Sequence, residues 1–139
     1  MSLHIAALVN PTAGKGRAGR YAPQAIDALR SLGATVSIVQ GSDRVEALGQ
    51  LRAAIDRGVD RLAAIGGDGT VSLALQAVAN SGIPLGVVAL GTGDDVARQH
   101  RLPRRDPWNS AHIVVNGTIK DVDAARVTAP DGSTTWYLT

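Results

Sequence analysis

The sequence predicts an α/β domain, a three-layer α/β/α sandwich around a mainly parallel sheet. Two observations carry that prediction. Short apolar runs alternate with segments of helical period along most of the 139 residues. Aromatic residues make up only 3% and Phe is absent, so the core must be built from Ala, Val, Leu and Ile. Such residues suit buried parallel strands covered by helices on both faces.

The elements follow in order. Ile5 to Val9 is a continuous apolar run and reads as a central strand. Asn10 to Arg20 reads as a Gly-rich loop, and a helix follows to about Leu32 with Ala22, Ala25, Ile26, Leu29 and Leu32 on one face. Pro23 falls in its first turn or kinks it, and Gly33 stops it. Thr35 to Val39 is the second strand. Asp43 and Glu46 have capping-box spacing, and the helix they open turns Ala47, Leu48, Leu51 and Ile55 inward before ending near Gly58. Arg61 to Ile65 is the third strand, followed by a glycine loop and a third helix. Ile83 to Leu90 is the fourth strand. Beyond it the pattern changes: a loop over 102–107, a short helix over Ala111 to Val115, and strands over Lys120 to Thr128 and Thr134 to Leu138 around an Asp131-Gly132 turn. The expected division is an α/β domain over 1–118 and, over 119–139, a β-hairpin that starts a β-rich second domain belonging to a longer protein. Trp136 and Tyr137 have no evident partner in the sequence.

Composition excludes several classes. There is no Cys, so no disulfide, thiolate metal site or cysteine nucleophile. The net charge of +2 gives no electrostatic footprint for nucleic acid. No apolar run reaches the roughly 18–20 residues of a membrane span, and no signal-peptide pattern opens the chain, so a cytoplasmic protein is expected. His4, His100 and His112 are too scattered to form a metal site.

The chemistry concentrates in three glycine-rich loops, each after a predicted strand. Gly66-Gly67-Asp68-Gly69-Thr70 joins the third strand to the third helix. Its glycines let backbone N–H groups approach a ligand, and the helix adds free donors and a positive dipole end, which suits phosphate. Asp68 repels phosphate unless Mg²⁺ or a donor lies between them, which points to nucleotide–Mg²⁺ chemistry. The competing reading is a tight βα turn with Asp68 as helix N-cap. Gly91-Thr92-Gly93-Asp94-Asp95 follows the fourth strand, with one aspartate expected to cap the next helix. Gly14-Lys15-Gly16-Arg17-Ala18-Gly19 matches G-x-G-x-x-G, but four residues separate it from the strand and no acidic residue ends the second strand; only Asp43 lies near. It also fails the Walker A pattern. A second anion-contacting loop with Lys15, Arg17 and Arg20 remains. Arg98, Arg101, Arg104 and Arg105 form a basic cluster, read either as a solvated loop or as a contact for ATP phosphates or anionic lipid.

Asn10-Pro11 with Gly14, Gly66 to Thr70, and Gly91-Thr92-Gly93-Asp94-Asp95-Val96-Ala97-Arg98 together resemble the catalytic domain of the diacylglycerol kinase/lipid kinase family. The family patterns are "NP-x-x-G", "GGDGT" and "GTGNDFAR", and Ile119-Lys120-Asp121-Val122-Asp123 resembles the crossing into its second domain. The resemblance implies the N-terminal domain fold shared by NAD kinases and diacylglycerol kinases. It also implies ATP and Mg²⁺ as cofactors, and transfer of the γ-phosphoryl group to a lipid alcohol such as diacylglycerol or a sphingoid base. Peripheral contact with the inner face of a membrane is expected, and a homodimer is left open. By resemblance Asn10, Pro11, Thr12, Ala13, Gly14, Ser42, Gly66, Gly67, Asp68, Gly69, Thr70, Ser72, Gly91 and Thr92 line ATP. Asp68, Asp95 and Asp123 are tied to Mg²⁺, through water or directly. The general base lies in the second domain, so the 139 residues alone are expected to bind ATP weakly or not at all and to have no kinase activity. Four departures stand out: Asp94 for Asn, Val96 for Phe, Ser72-Leu73 for Asn-Glu, and Ser42 offered where a Thr is common. The alternatives are an NAD kinase-like enzyme and a degenerate, non-catalytic nucleotide-binding module.

Overall fold

The computed structural model describes residues 2–10 and 12–139. Four parallel strands form one sheet in the order β2-β1-β3-β4: β1 (His4–Val9), β2 (Thr35–Val39), β3 (Arg61–Gly66) and β4 (Leu85–Ala89). Ala7 lies between Ile38 of β2 and Ala63 of β3. The alternation of side chains splits the core in two. Ile5, Ala7, Val9, Ala63 and Ile65 face α1 (Arg17–Ser31) and α5 (Pro107–Asn116). Ala6, Leu8, Leu62 and Ala64 face α2 (Arg44–Asp56) and α3 (Asp68–Val78). Those two cores are the expected three layers. The alanines on β1 and β3 are fully buried, and their small side chains admit helices close to the sheet.

Several boundaries differ from the sequence expectation, each for a local reason. α1 begins at Arg17, inside the segment read as loop, and its N-cap is Gly16 with no side-chain cap bond. Without a capping side chain, nothing in the sequence marks that start. Pro23 therefore sits in the second turn of α1 rather than the first. α5 starts at Pro107 rather than at Ala111, because Asp106 accepts the Asn109 N–H at 3.2 Å and Pro107 occupies the first helical position. Its far end is held by Arg61, whose Nη1 donates to the carbonyls of Val114 and Val115 at 2.5 and 2.8 Å. Asp43 caps α2 through the Glu46 N–H at 2.8 Å. A short helix, α4 (Asp95–Gln99), leads to residues 103–105, which run beside the end of β4 through an Ala89–Arg104 bridge.

An antiparallel hairpin, β5 (Ala124–Thr128) and β6 (Thr134–Leu138), forms a separate two-stranded sheet. β5 is shorter than expected and begins only at Ala124. Trp136 is not without a partner. The Gln76 side chain of α3 accepts the Trp136 N–H and donates to the Trp136 carbonyl, both at 2.8 Å, as a neighbouring strand would. Trp136 and Leu138 pack against the α2/α3 core, and the Arg126 guanidinium lies 5.9 Å from the Trp136 ring centre.

Candidate functional site

The carboxyl ends of β1, β3 and β4 bring all three glycine-rich loops to one edge of the sheet. Such edges are where open α/β sheets bind ligands. The loops touch through backbone. A Cβ added at Gly91 would stand 2.5 Å from Gly67 Cα, so the second and third loops meet where neither has a side chain. Gly14, at φ +63, brings the first loop against the Leu90 carbonyl, where any larger residue would collide.

A cleft of 260 Å³ opens at this edge, between the ends of β1 and β2 and the first turns of α2 and α3. Leu8, Ala47 and Leu73 form its apolar floor; Asn10, Asp43, Arg44 and Thr70 supply polar groups. Thr70 is 4% exposed, and its Oγ1 has no hydrogen-bond partner among the described residues. A buried hydroxyl left unpaired is costly. This one sits in the first turn of α3, where the helix also presents free N–H donors.

Of the expected ATP-lining residues, Asn10, Gly69 and Thr70 line the cleft. Asn10 also shapes the first loop, its Oδ1 accepting from the Thr12 N–H and hydroxyl at 3.2 and 2.9 Å. Ala13 packs against the α1/α5 core, and Thr12 is exposed. Gly66 and Gly67 form the turn into α3, Gly67 as its N-cap. Ser72 is half-buried, its carbonyl bonded by Gln76. The Ser42 hydroxyl donates to Glu46 at 2.5 Å. Gly91 is buried against Gly67, while Thr92 is exposed. Pro11 lies outside the described residues. Sequence reasoning missed Gly41, Asp43 and Arg44 as lining residues. Arg44 is the first residue of α2 and also borders a second cavity, of 310 Å³, between α2, α3 and β6. A cation directly after a helix cap, facing a glycine loop, was the available signal.

The acidic residues are placed differently from the expectation. Neither Asp94 nor Asp95 caps α4 through its side chain. Asp68 does so from the second loop: its Oδ2 accepts the Asp95 N–H at 2.8 Å and its Oδ1 the Val96 N–H at 3.2 Å. Asp94 adopts φ +52, which turns its carboxylate inward; it is 2% exposed and accepts the Gly91 N–H at 3.0 Å. Asp68 and Asp95 flank Gly93, whose Cβ would lie 3.5 and 3.7 Å from their carboxylate oxygens. Asp123 is exposed at the base of the hairpin, its carbonyl accepting from Thr139. No group of three or more His, Cys, Asp or Glu that could hold a metal ion occurs among the described residues. A pair of carboxylates such as Asp68 and Asp95 is still compatible with Mg²⁺, which keeps several waters and takes one or two carboxylates besides substrate phosphates.

Arg17 and Arg98 each spend one guanidinium nitrogen on the third loop. Arg17 Nη1 donates to the Gly91 carbonyl at 2.7 Å and reaches that of Leu90 at 3.4 Å; Arg98 Nε donates to the Gly93 carbonyl at 2.8 Å. Within the basic cluster Arg98, Arg101 and Arg105 are exposed and Arg104 is half-buried.

Parallel strands, three glycine loops on one edge and a buried hydroxyl in a helix's first turn define an α/β domain with a cleft at its carboxyl edge. The particular lineage follows from comparison with known proteins. The chain belongs to the diacylglycerol kinase catalytic domain family, which matches residues 4–127. It is 40% identical over 135 residues to a diacylglycerol kinase of Mycobacterium tuberculosis strain H37Rv, covering 97% of this chain and 44% of that protein. Against a diacylglycerol kinase of Bacillus subtilis strain 168 it is 29% identical over 122 residues, covering 86% and 40%. A crystal structure of a diacylglycerol kinase from Bacillus anthracis strain Sterne shares the fold, with a TM-score of 0.74 at 22% identity over 87% of this chain and 42% of that one. The chain thus spans less than half the length of the curated relatives it matches. No helix among the described residues is long and apolar enough to cross a membrane.

Proposed function

We propose that this chain is the nucleotide-binding part of an ATP-dependent lipid kinase. The observation that carries the reading is Thr70, which lines the cleft in the first turn of α3 and whose buried hydroxyl has no protein partner among the described residues. With the N–H groups of that turn it supplies donors for phosphate oxygens. Arg44 adds positive charge at the rim, and Leu8, Ala47 and Leu73 give an apolar surface that excludes water. Bound Mg²⁺ would neutralise charge spread over the transferring phosphoryl group; Asp68 and Asp95 are the residues that would hold it through water. Asp68 also fixes the start of α4, and so joins the second loop to the third.

The reaction proposed for the whole protein is transfer of the γ-phosphoryl group of ATP to a lipid hydroxyl, that of diacylglycerol or a sphingoid base. Family membership and the relatives' names support it. The acceptor pocket and general base are assigned to a second domain that the hairpin over 119–139 begins. On this division, the 139 residues bind ATP weakly and turn over no lipid alone. Calorimetric titration with ATP–Mg²⁺ tests the reading. Weak binding that Asp68→Ala abolishes supports it. Lipid phosphorylation by the 139 residues would refute the division of labour, and phosphorylation of NAD by the whole protein would move it to the NAD kinase-like class.

A further inference from the structure

Asp94 is a carboxylate with 1% of its side chain exposed, a state that is costly unless the charge is paired and hydrogen-bonded. The charge is paired, but only one of its oxygens is hydrogen-bonded: Asp94 Oδ2 and Arg104 Nε are both buried without a hydrogen-bond partner among the described residues. Oδ1 accepts the Gly91 N–H at 3.0 Å, and Oδ2 lies 3.4 Å from Arg104 Nε. Arg104 is itself held in place. The Ala89–Arg104 bridge and the Arg105 N–H, which donates to the Ala89 carbonyl at 2.8 Å, fix its backbone beside β4. From there its Nη2 reaches the Thr92 carbonyl at 3.4 Å. With Arg17 on the Leu90 and Gly91 carbonyls and Arg98 on that of Gly93, three guanidiniums meet the carbonyls of residues 90–93. The loop is thus held by groups on three separate segments.

We propose that Asp94 and Arg104 are a charge-matched positioning pair that presets the third loop for the nucleotide. The proposal rests on the reading that this loop faces ATP. It makes Asp94 a compensated charge rather than a mark of a decayed site. Arg104→Leu leaves a buried carboxylate unpaired, whereas Asp94→Asn leaves a cation that is 25% exposed and keeps its Thr92 contact. The two single variants must therefore differ, and the double variant must recover what Arg104→Leu loses.

The test is a cycle of Asp94→Asn, Arg104→Leu and both together in the 139-residue chain, read by melting temperature, amide exchange at Gly91 and ATP–Mg²⁺ titration. Arg104→Leu should lower the melting temperature by roughly 5–10 °C. It should also speed Gly91 exchange and weaken ATP–Mg²⁺ about tenfold, the effect of losing one positioned contact. The double variant should recover at least half of each change, and Asp94→Asn should not tighten binding. A double variant no better than Arg104→Leu overturns the proposal, as does tighter binding by Asp94→Asn. Recovery of melting temperature without recovery of ATP affinity also overturns it, because the pair would then be structural only. If no form binds ATP, the nucleotide reading fails. The Gly91 exchange cycle then decides the pair: recovery in the double variant supports it, and no recovery overturns it.

Discussion

Replacing Thr70 by Val separates stability from ligand binding at one atom. Thr70 is 4% exposed in the first turn of α3, and its N–H bonds to the Gly67 carbonyl at 3.1 Å, a bond that Val keeps. Val matches the shape and the β-branching, so the helical backbone is undisturbed. What disappears is a hydroxyl with no partner among the described residues. An unpaired buried polar group costs about 1–3 kcal/mol. Part of that returns in the variant, discounted because the new methyl crowds Gly66, which already lies against Oγ1. A gain of about 1 kcal/mol raises the melting temperature by roughly 3–5 °C for a chain of this size. Binding moves the other way. A hydrogen bond to a charged group contributes about 1.5–3 kcal/mol, so ATP–Mg²⁺ affinity should fall roughly 10- to 150-fold. Scanning calorimetry and isothermal titration on wild type, Thr70→Val and Thr70→Ser measure both quantities, with Ser keeping the hydroxyl and the affinity. A Thr70→Val chain that is less stable and binds as well as wild type would refute the reasoning.

Other perturbations follow from the same contacts. Gly91→Ala places a Cβ 2.5 Å from Gly67 Cα and 2.8 Å from Asp94 Oδ1. Backbone must shift to admit it, so the loss should be about 1–3 kcal/mol in urea unfolding, and an unchanged midpoint would show that the loops are not in contact. Gln76→Leu removes both bonds to the Trp136 backbone, about 1 kcal/mol each. Trp136 emission should shift to the red and the 129–133 turn should become protease-sensitive while the parallel sheet melts almost as before; a whole-chain loss of cooperativity would contradict this. The Ser133 hydroxyl and N–H both donate to Asp131 and lower its pKa below the ordinary 3.8. The folded-state value lies under the unfolded one, so the support this gives the turn is present above pH 3.8 and is lost as pH falls through the depressed value. The Ser133 amide shift in an NMR pH titration should therefore have its midpoint below 3.8, and a midpoint at or above that value would refute it.

The strands and glycine loops were legible because their signals are local. Ile5 to Val9 and Leu62 to Ile65 are apolar runs buried on both faces, the second followed directly by Gly66 and the first, after four residues, by Gly14. The start of α1 was hidden because Gly16 offers no capping side chain. The start of α5 was readable in Asp106-Pro107 but was taken for loop. The roles of the charged residues were not legible, because their partners are distant in sequence. Asp68 reaches α4 across 27 residues and Arg17 reaches Gly91 across 74. Composition marks such residues as candidate ligands for phosphate or metal, and only the fold shows that backbone groups share Arg17, Arg98 and Asp68. Thr70 was named from its motif, but its lack of a protein partner depends on how α3 packs over Gly66.

The most direct test of a phosphate cleft at this edge is a two-dimensional amide NMR titration of the 139-residue chain with ATP–Mg²⁺. The amides of Asn10, Gly41, Gly69, Thr70 and Gly91 should move together along one weak binding curve while those of β5 and β6 stay still. Shifts centred on the hairpin, or none among the three loops at millimolar nucleotide, would contradict it.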